Sequence, residues 1–370
     1  MMAIVFVVRV DAMGKEGGYF IGWEDLRLDQ RRTGMSWRSE LSLNWTTNRV
    51  IVVDKDGNGD SVSVQGAVDM VPVDNTERVK ILILPGIYRE KVLVPKSKPY
   101  ISFIGNENQT SGTLITWNDK ASDIDSAGYE LGTYRSASVT VESDYFCAAG
   151  ITFENTVLAV PGGYGMQAVA LRLSGDKAVL YRIRVIGTQD TLLDECGTHY
   201  FYQCHIQGSI DFIFGRSRSL YDSCLLQSTA TGAGAIAAHH RESPDENTGF
   251  SFVKCVVNGT GSIFLGRAWG NYSTIVYSHC YFDNIIIPVG WSDWDQPYKQ
   301  KFQGIVFISS LKHRGRLMVE NRTVVFGEYQ CQGRGADMKG RVPWLKHFTD
   351  EEARPFLDRK FIQGENWLRL

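Results

Sequence analysis

Short apolar runs, and not long periodic ones, set the pattern of this chain. From Arg49 onward the sequence reads RVIVV, RVKILIL, KVLV, PYISFIG, TLITW and SVTV, each a few branched or aromatic residues long. A helix would repeat its apolar positions every three to four residues; that period is nearly absent, so the body of the chain is expected to be all-β. Residues 1 to 46 show neither period and carry charged stretches such as KEGGYF and DLRLDQRR. They predict a poorly ordered extension outside the core, followed by one large domain over 47–370.

A self-similar pentad organises that domain. It occurs as ITFEN at 151, IRVIG at 183, CHIQG at 204, CLLQS at 224, CVVNG at 255 and CYFDN at 280, with an apolar residue in the third place and Gly, Asn or Ser in the fifth. The third places are Phe153, Val185, Ile206, Leu226, Val257 and Phe282, separated by 32, 21, 20, 31 and 25 residues. Such spacing suits the coils of a parallel β-solenoid, where each coil buries its apolar face only by stacking on its neighbours, and longer intervals are loops. A β-sandwich with chance similarity among short strands is the alternative; the recurrence favours the solenoid.

Stacking changes the meaning of two aspartates. Asp190 lies five residues after Val185, and Asp211 five after Ile206. In successive coils they would sit one strand spacing apart, about 4.8 Å. Two carboxylates that close cannot both ionise freely, so one is expected to keep its proton beside an ionised partner. That is equipment for acid/base or covalent chemistry at a carbonyl or an acetal; two solvated turn residues are the plainer reading. Gln167 and Gln189 supply neutral amide donors suited to an oxyanion. Arg267 and Trp269, in FLGRAWGNY, supply a fixed cation and a flat apolar wall. An arginine beside a carboxylate would hold it ionised through a forked hydrogen bond, but spacing does not decide whether Asp190 or Asp211 is the charged member. Taken singly, the amides also read as ladder caps, Arg267 as a surface ion pair and Trp269 as rim packing.

Composition narrows the partners. The 370 residues are 43% hydrophobic and carry 39 basic against 41 acidic side chains, a net charge of -2 without a polybasic block. Nucleic acid and anionic membrane are thereby set aside as partners. The apolar run AIVFVV at residues 3 to 8 is too short to span a bilayer and lacks a signal-peptide frame. Five Asn-x-Ser/Thr sequons, at Asn44, Asn108, Asn258, Asn271 and Asn321, give weak support for a secretory route. Seven cysteines include no C-x-x-C, so zinc is not expected. His239 and His240 are adjacent, and strand neighbours face opposite ways, so they are not expected to share a metal ion; a structural or subsite role is favoured over catalysis.

The motifs LPGIYREKV, ITFENT, QAVALR, QDTL, DFIFG, LGRAW, GWSDW, VVFGEY and GRVPW occur in one order between about Arg49 and Trp344. In that order the chain resembles the plant pectin methylesterases, carbohydrate esterases with a right-handed parallel β-helix. AAHHR and GRAWGNYS look most like the subgroup without an N-terminal inhibitor-like pro-region. The resemblance implies that Asp211 is the nucleophile toward the C6 methyl ester of a galacturonate unit. Asp190 would be the acid toward departing methanol and then the base for water. Gln167 and Gln189 would hold the oxyanion, and Arg267 would orient Asp211. Thr133, Phe214, Trp269 and Trp291 would line the sugar cleft with Gln167 and Arg267. It further implies pectin as partner, a proteinaceous inhibitor as a second one, no metal or organic cofactor, a monomer, secretion to the cell wall, and a disulfide between Cys204 and Cys224. Buried free thiols are the alternative for those cysteines. Glycoside hydrolysis of polygalacturonate by the same carboxylates, or pectin binding without catalysis, are the competing functions.

Two departures from the family pattern stand out. Arg216 follows DFIFG where Asn is usual, which is expected either to disturb packing or to shift activity toward acid pH. Residues 296–321 form a long stretch between GWSDW and VVFGEY, read as an insertion of about twenty residues that costs little in loop closure but exposes an apolar GIVFISS run.

Overall fold

The computed structural model describes residues 19–28, 49–160, 162–300, 302–304, 319–321 and 323–370. Each pentad follows a single residue whose φ is positive: Gly150 at 69°, Arg182 at 46°, Gln203 at 55°, Ser223 at 56°, Lys254 at 54° and His279 at 55°. One left-handed residue turns the chain sharply from a strand of one sheet into a strand of the next. For the residues other than glycine that conformation costs on the order of 1 kcal/mol, and in-register pairing on both sides of each corner offsets it. The third places of the pentads pair as Phe153↔Val185↔Ile206↔Leu226↔Val257↔Phe282, the register expected from the sequence.

The result is a right-handed parallel β-helix with three faces. The first sheet runs through eleven strands among the described residues, from Arg49–Val53 to Lys346–His347. The second and third faces are continuous where Leu225–His239 bends from one to the other, pairing with His205–Gly208 at its start and with Ile213–Gly215 at its end.

Stacking puts like residues in columns inside the helix. Phe201, Tyr221, Phe252 and Tyr277 lie in one register, with successive ring centroids 4.5, 4.6 and 4.4 Å apart and planes nearly parallel. Such pairs add about 0.5 to 1.5 kcal/mol each beyond area burial. Beside them runs a column of thiols. Cys204, Cys224, Cys255, Cys280 and Cys331 donate to the carbonyls of Leu180, Phe201, Tyr221, Phe252 and Tyr277, the core residues one coil earlier, at 3.2 to 3.6 Å. The disulfide expected between Cys204 and Cys224 is therefore corrected: both are free thiols. Each of the two thiols is aimed at a backbone carbonyl one coil earlier.

A buried polar group lies at the end of the strand Leu192–Asp194. Asp194 Oδ1 contacts His199 Nδ1 at 2.5 Å, and Asp194 Oδ2 accepts from Tyr221 at 2.6 Å. His199 Nε2 faces the Gly175 carbonyl at 2.7 Å. With acceptors at both nitrogens, the ring is an imidazolium. Burial opposes that charge, but the adjacent Asp194 carboxylate outweighs it and raises the His199 pKa.

The N-terminal expectation is corrected where the structure describes it. Residues 19–28 are not outside the core: Ile21 and Leu26 are buried, and Ile21–Gly22 pairs in parallel with Leu368–Arg369 at the other end of the chain. Arg78 Nε bonds Tyr19 Oη at 2.9 Å and pairs with Asp25 Oδ1 at 3.1 Å, while its other nitrogens reach Ser102 Oγ and the Tyr145 carbonyl. A few anchors and a buried ion pair hold this segment, which explains why it has no readable period. The remainder of the first 46 residues lies outside the described ones.

Replacing Tyr221 by Phe keeps the ring column and removes one donor from the Asp194 carboxylate. The expected loss is about 1.5 to 3 kcal/mol, the range for a hydrogen bond to a charged group, measured as a lower urea midpoint with an unchanged slope.

Candidate active site

The third face brings Asp190 and Asp211 together. Asp190 N–H donates to the Ile210 carbonyl at 3.0 Å, Gln189 bridges Ile210, and two residues on Leu192 pairs with Ile213. The two aspartates thus hold equivalent places in adjacent coils. Both have left-handed backbone, φ 60° and 44°, a conformation that Asp tolerates better than most residues. It breaks the strand alternation at each carboxyl.

Arg267 breaks the symmetry of the pair. Its Nε donates to Asp211 Oδ1 at 2.8 Å and its Nη2 binds Asp211 Oδ2, a forked contact made to Asp211 and not to Asp190. The guanidinium is held from its other side by Trp294, 3.9 Å from the ring centroid. For Asp190, desolvation, then the Asp211 charge, pushes the pKa well above the carboxylate range, with Arg267 opposing only in part. Asp190 is partly accessible by surface area, but protein surrounds the carboxyl, and the enclosure is what counts for its proton. Two carboxyls one strand spacing apart thus sit in unlike surroundings.

The two glutamines flank this pair. Gln189 accepts from Ala168 N–H at 3.1 Å through its backbone carbonyl, and Gln167 accepts from Ala121 N–H at 2.8 Å in the same way. Both are half-buried, and among the described residues their side-chain amides make no hydrogen bond. Thr133 sits on a short helix, Gly132–Arg135, tied to the site through Ser136, which donates to the Thr133 carbonyl and accepts from Val169 N–H at 3.1 Å. Small and apolar residues, Ala137, Val169, Leu193, Phe214 and Ala238, form a cluster that Trp269 and Trp294 cover at one end. Phe214 and Trp269 lie 6.2 Å apart, centroid to centroid.

Trp291 is the cleft residue that the structure corrects. It is 1% exposed and its Nε1 donates to Glu328 Oε1 at 3.0 Å, inside the helix. The reason is register. Ser292 pairs with Arg267, which faces outward, so Trp291 pairs with Gly266 and faces in. A Cβ on Gly266 would meet the Trp291 ring at 2.9 Å. Trp294, in the left-handed turn beyond that strand, lies outside, against the Arg267 guanidinium and the cluster around Phe214.

The supposed insertion also begins too early. Lys299, on the short helix Pro297–Lys299, is 2% exposed and donates to the carbonyls of Ala268 and Trp269 at 2.7 and 3.0 Å. Residues 296–300 are therefore part of the support beneath Trp269. Beyond them, Phe302–Gly304 pairs antiparallel with Val319–Asn321, and 305–318 lie outside the described residues. His239 is buried, accepts from Thr274 N–H at 3.1 Å, and is driven by burial to a pKa of about 3. His240 points the other way, against Trp269 at 4.5 Å and Glu242 at 3.1 Å. Arg216 is exposed and lies outside the Arg267–Asp211 ion pair.

A parallel β-helix with a stacked pair of carboxyls on its outer face is the class that this fold and site define. The pectinesterase profile matches residues 50–316. The Arabidopsis thaliana pectinesterase QRT1 is 59% identical over 364 residues, covering 95% of this chain and 90% of that protein. Putative pectinesterase 11 of the same plant is 38% identical over 333 residues, covering 90% of this chain and 84% of its own. The solved pectin methylesterase from carrot superposes with a TM-score of 0.74 at 31% identity, over 88% of this chain and 96% of that one. The chain belongs to the pectinesterase family and is an ester hydrolase of that kind.

The two tryptophans three residues apart should separate cleanly. Trp294→Ala is expected to raise KM and lower kcat/KM with little change in melting temperature. Trp291→Ala should cost about 3 to 5 kcal/mol of stability, as for a buried aromatic truncated in a core; thermal melts beside steady-state rates distinguish them.

Proposed function

We propose that this chain removes methyl groups from the C6 esters of galacturonate units in pectin, with Asp211 as nucleophile and Asp190 as proton donor. The observation that carries the reading is the unlike treatment of the stacked carboxyls: Arg267 grips Asp211 at both oxygens, while burial and then Asp211's charge raise the pKa of Asp190.

The ionised Asp211 attacks the ester carbonyl carbon, and the carbonyl π-electrons move to oxygen. The unengaged amides of Gln167 and Gln189 are suited to donate to that oxyanion, and fixed donors of this kind need no reorganisation as charge develops. Collapse expels the methoxy group, which takes the Asp190 proton and leaves as methanol. An acyl anhydride then joins Asp211 to the sugar. Asp190, now a carboxylate, takes a proton from water, whose oxygen attacks the acyl carbon; Asp211 departs as carboxylate and Asp190 is again the acid. Trp269, Trp294 and Phe214 present flat apolar faces suited to pyranose rings, and Thr133 belongs to the same rim. Pectin is the partner in this reading, and the cell wall, where pectin lies, the place of action.

Release of methanol from methyl-esterified pectin without new reducing ends is the expected result; new reducing ends without methanol would replace the esterase reading by glycoside hydrolysis. Asp211→Asn should lower methanol release by several orders of magnitude while the protein still melts cooperatively.

Asp190 also links activity to stability. Its folded-state pKa is raised, so wild-type stability is fullest below the ordinary carboxylate pKa and is lost as pH rises toward the folded value. Asp190→Asn removes that loss. The variant is expected to be inactive yet to melt higher than wild type at about pH 8, with the gain vanishing near about pH 4. A gain that is equal at both pH values would count against a protonated Asp190.

A further inference from the structure

Among the corners that lead from the first sheet to the second face, one is out of step. From Gly150 to His279 each of these corners takes two residues, the first of them left-handed. Between the strands Ile101–Ile104 and Thr113–Trp117 the chain instead takes residues 105–112. The added length has no room within the stack, since a Cβ on Gly150 in the next coil would meet the Glu107 nitrogen at 2.4 Å. The turn therefore projects outward, at the corner opposite the third face and its carboxyl pair.

Asn108, Gln109 and Thr110 in this turn form one of the five Asn-x-Ser/Thr sequons. Asn108 is exposed and its N–H donates to Asn106 Oδ1 at 3.0 Å, while its own carboxamide makes no hydrogen bond among the described residues. The Thr110 hydroxyl likewise makes none; this residue is tied down by its carbonyl, which accepts from Thr152 at 2.9 Å.

The other described sequons are closed. Asn258 lies within the strand Val256–Arg267, in register with Gln227; its Oδ1 is shut from solvent, and Thr260 donates its hydroxyl to the Ala230 carbonyl at 2.8 Å. Asn271 donates Nδ2 to Glu242 at 2.7 Å, and the hydroxyl of Ser273 is buried against the His239 and Gly270 carbonyls at 2.5 and 2.8 Å. At the Asn321 sequon, Thr323 donates its hydroxyl to the Lys299 carbonyl at 2.5 Å. Sugar is attached before a chain has folded, but a bulky, hydrated group must end in water. A glycan on Asn258 or Asn271 would have to break the packing just described, whereas one on Asn108 displaces nothing.

We propose that Asn108 carries an N-linked glycan in the folded protein, and that Asn258 and Asn271 stay unmodified. The donor class is an oligosaccharide linked through diphosphate to a lipid. Asn108 Nδ2 bonds to C1 of the first N-acetylglucosamine as the bond from C1 to the diphosphate oxygen breaks; the amide loses a proton and the lipid diphosphate departs. This rests on the cell-wall placement proposed above and not on the chemistry of the carboxyl pair.

The test takes the full chain secreted from plant cells behind a cleavable leader and treats it with a peptide N-glycosidase in heavy-oxygen water. Each glycosylated Asn becomes a labelled Asp that peptide mass spectrometry reads. Label is expected at 108 and not at 258 or 271. Asn108→Gln and Thr110→Ala should each remove one glycan from the intact mass, Thr110→Ser should keep it, and kcat/KM for methanol release should be unchanged in all three. An unlabelled Asn108 in the secreted protein, or label at Asn258 or Asn271 in its folded fraction, would overturn the proposal. A chain labelled at Asn108 that releases no methanol would uphold the glycan site and bring down the esterase reading alone.

Discussion

Every coil of this molecule must place its residues one strand spacing from those of the next, because the backbone hydrogen bonds of a parallel sheet allow no other distance. Apolar columns gain from that rule: the rings of Phe201, Tyr221, Phe252 and Tyr277 meet face to face. Acidic columns suffer from it. Asp190 and Asp211 are held together by pairing at Gln189 and Leu192 that neither carboxyl can relax. The strain of that arrangement is met unequally: a half-buried arginine grips Asp211, while Asp190 has only its burial and its neighbour's carboxyl, and this inequality is what makes two identical side chains chemically different.

The supports of the site follow from the same rule. Arg267 is fixed between Asp211 and the Trp294 face, and the turn that carries Trp269 is fixed from below by the Lys299 ammonium on two backbone carbonyls. Burying that ammonium without a carboxylate is unfavourable, and desolvation lowers its pKa. The cost goes into holding an aromatic wall whose own strand has ended. Inside the helix, Asp194, His199 and Tyr221 form the complementary case, a charge pair in which each polar atom has a partner and which therefore stiffens the strand following Asp190.

Much of this was legible in the sequence, for a physical reason. A solenoid repeats its corner, so the pentads, and with them the register from Phe153 to Phe282 and the Asp190–Asp211 pair, could be counted off the chain. What could not be counted was which face a residue takes once the repeat shortens. Trp291 and Trp294 are the same residue type three places apart, and only the pairing of Ser292 with Arg267, and the left-handed turn after it, decide that the first is core and the second lies against Arg267 outside. Cys204 and Cys224 are adjacent as expected, but adjacency does not say whether two thiols join each other or turn to the carbonyls of the coil before. Lys299 looked like surface loop because its acceptors are backbone carbonyls, which leave no mark on sequence. Asp25 and its partner Arg78 lie 53 residues apart, beyond any local pattern.

The pairing of Ile21–Gly22 with Leu368–Arg369 has a consequence for how the molecule comes apart. A bare solenoid is a stack in which each coil knows only its neighbours, so its ends fray first and unfolding spreads inward. Here the segment that reaches Arg78 and Ser102 near one end also pairs with the last strand of the chain, against the outer face of the first sheet. Loosening either end therefore strips cover from both. A one-dimensional array is tied into a ring of contacts, and its coils gain a cooperativity that stacking alone does not supply.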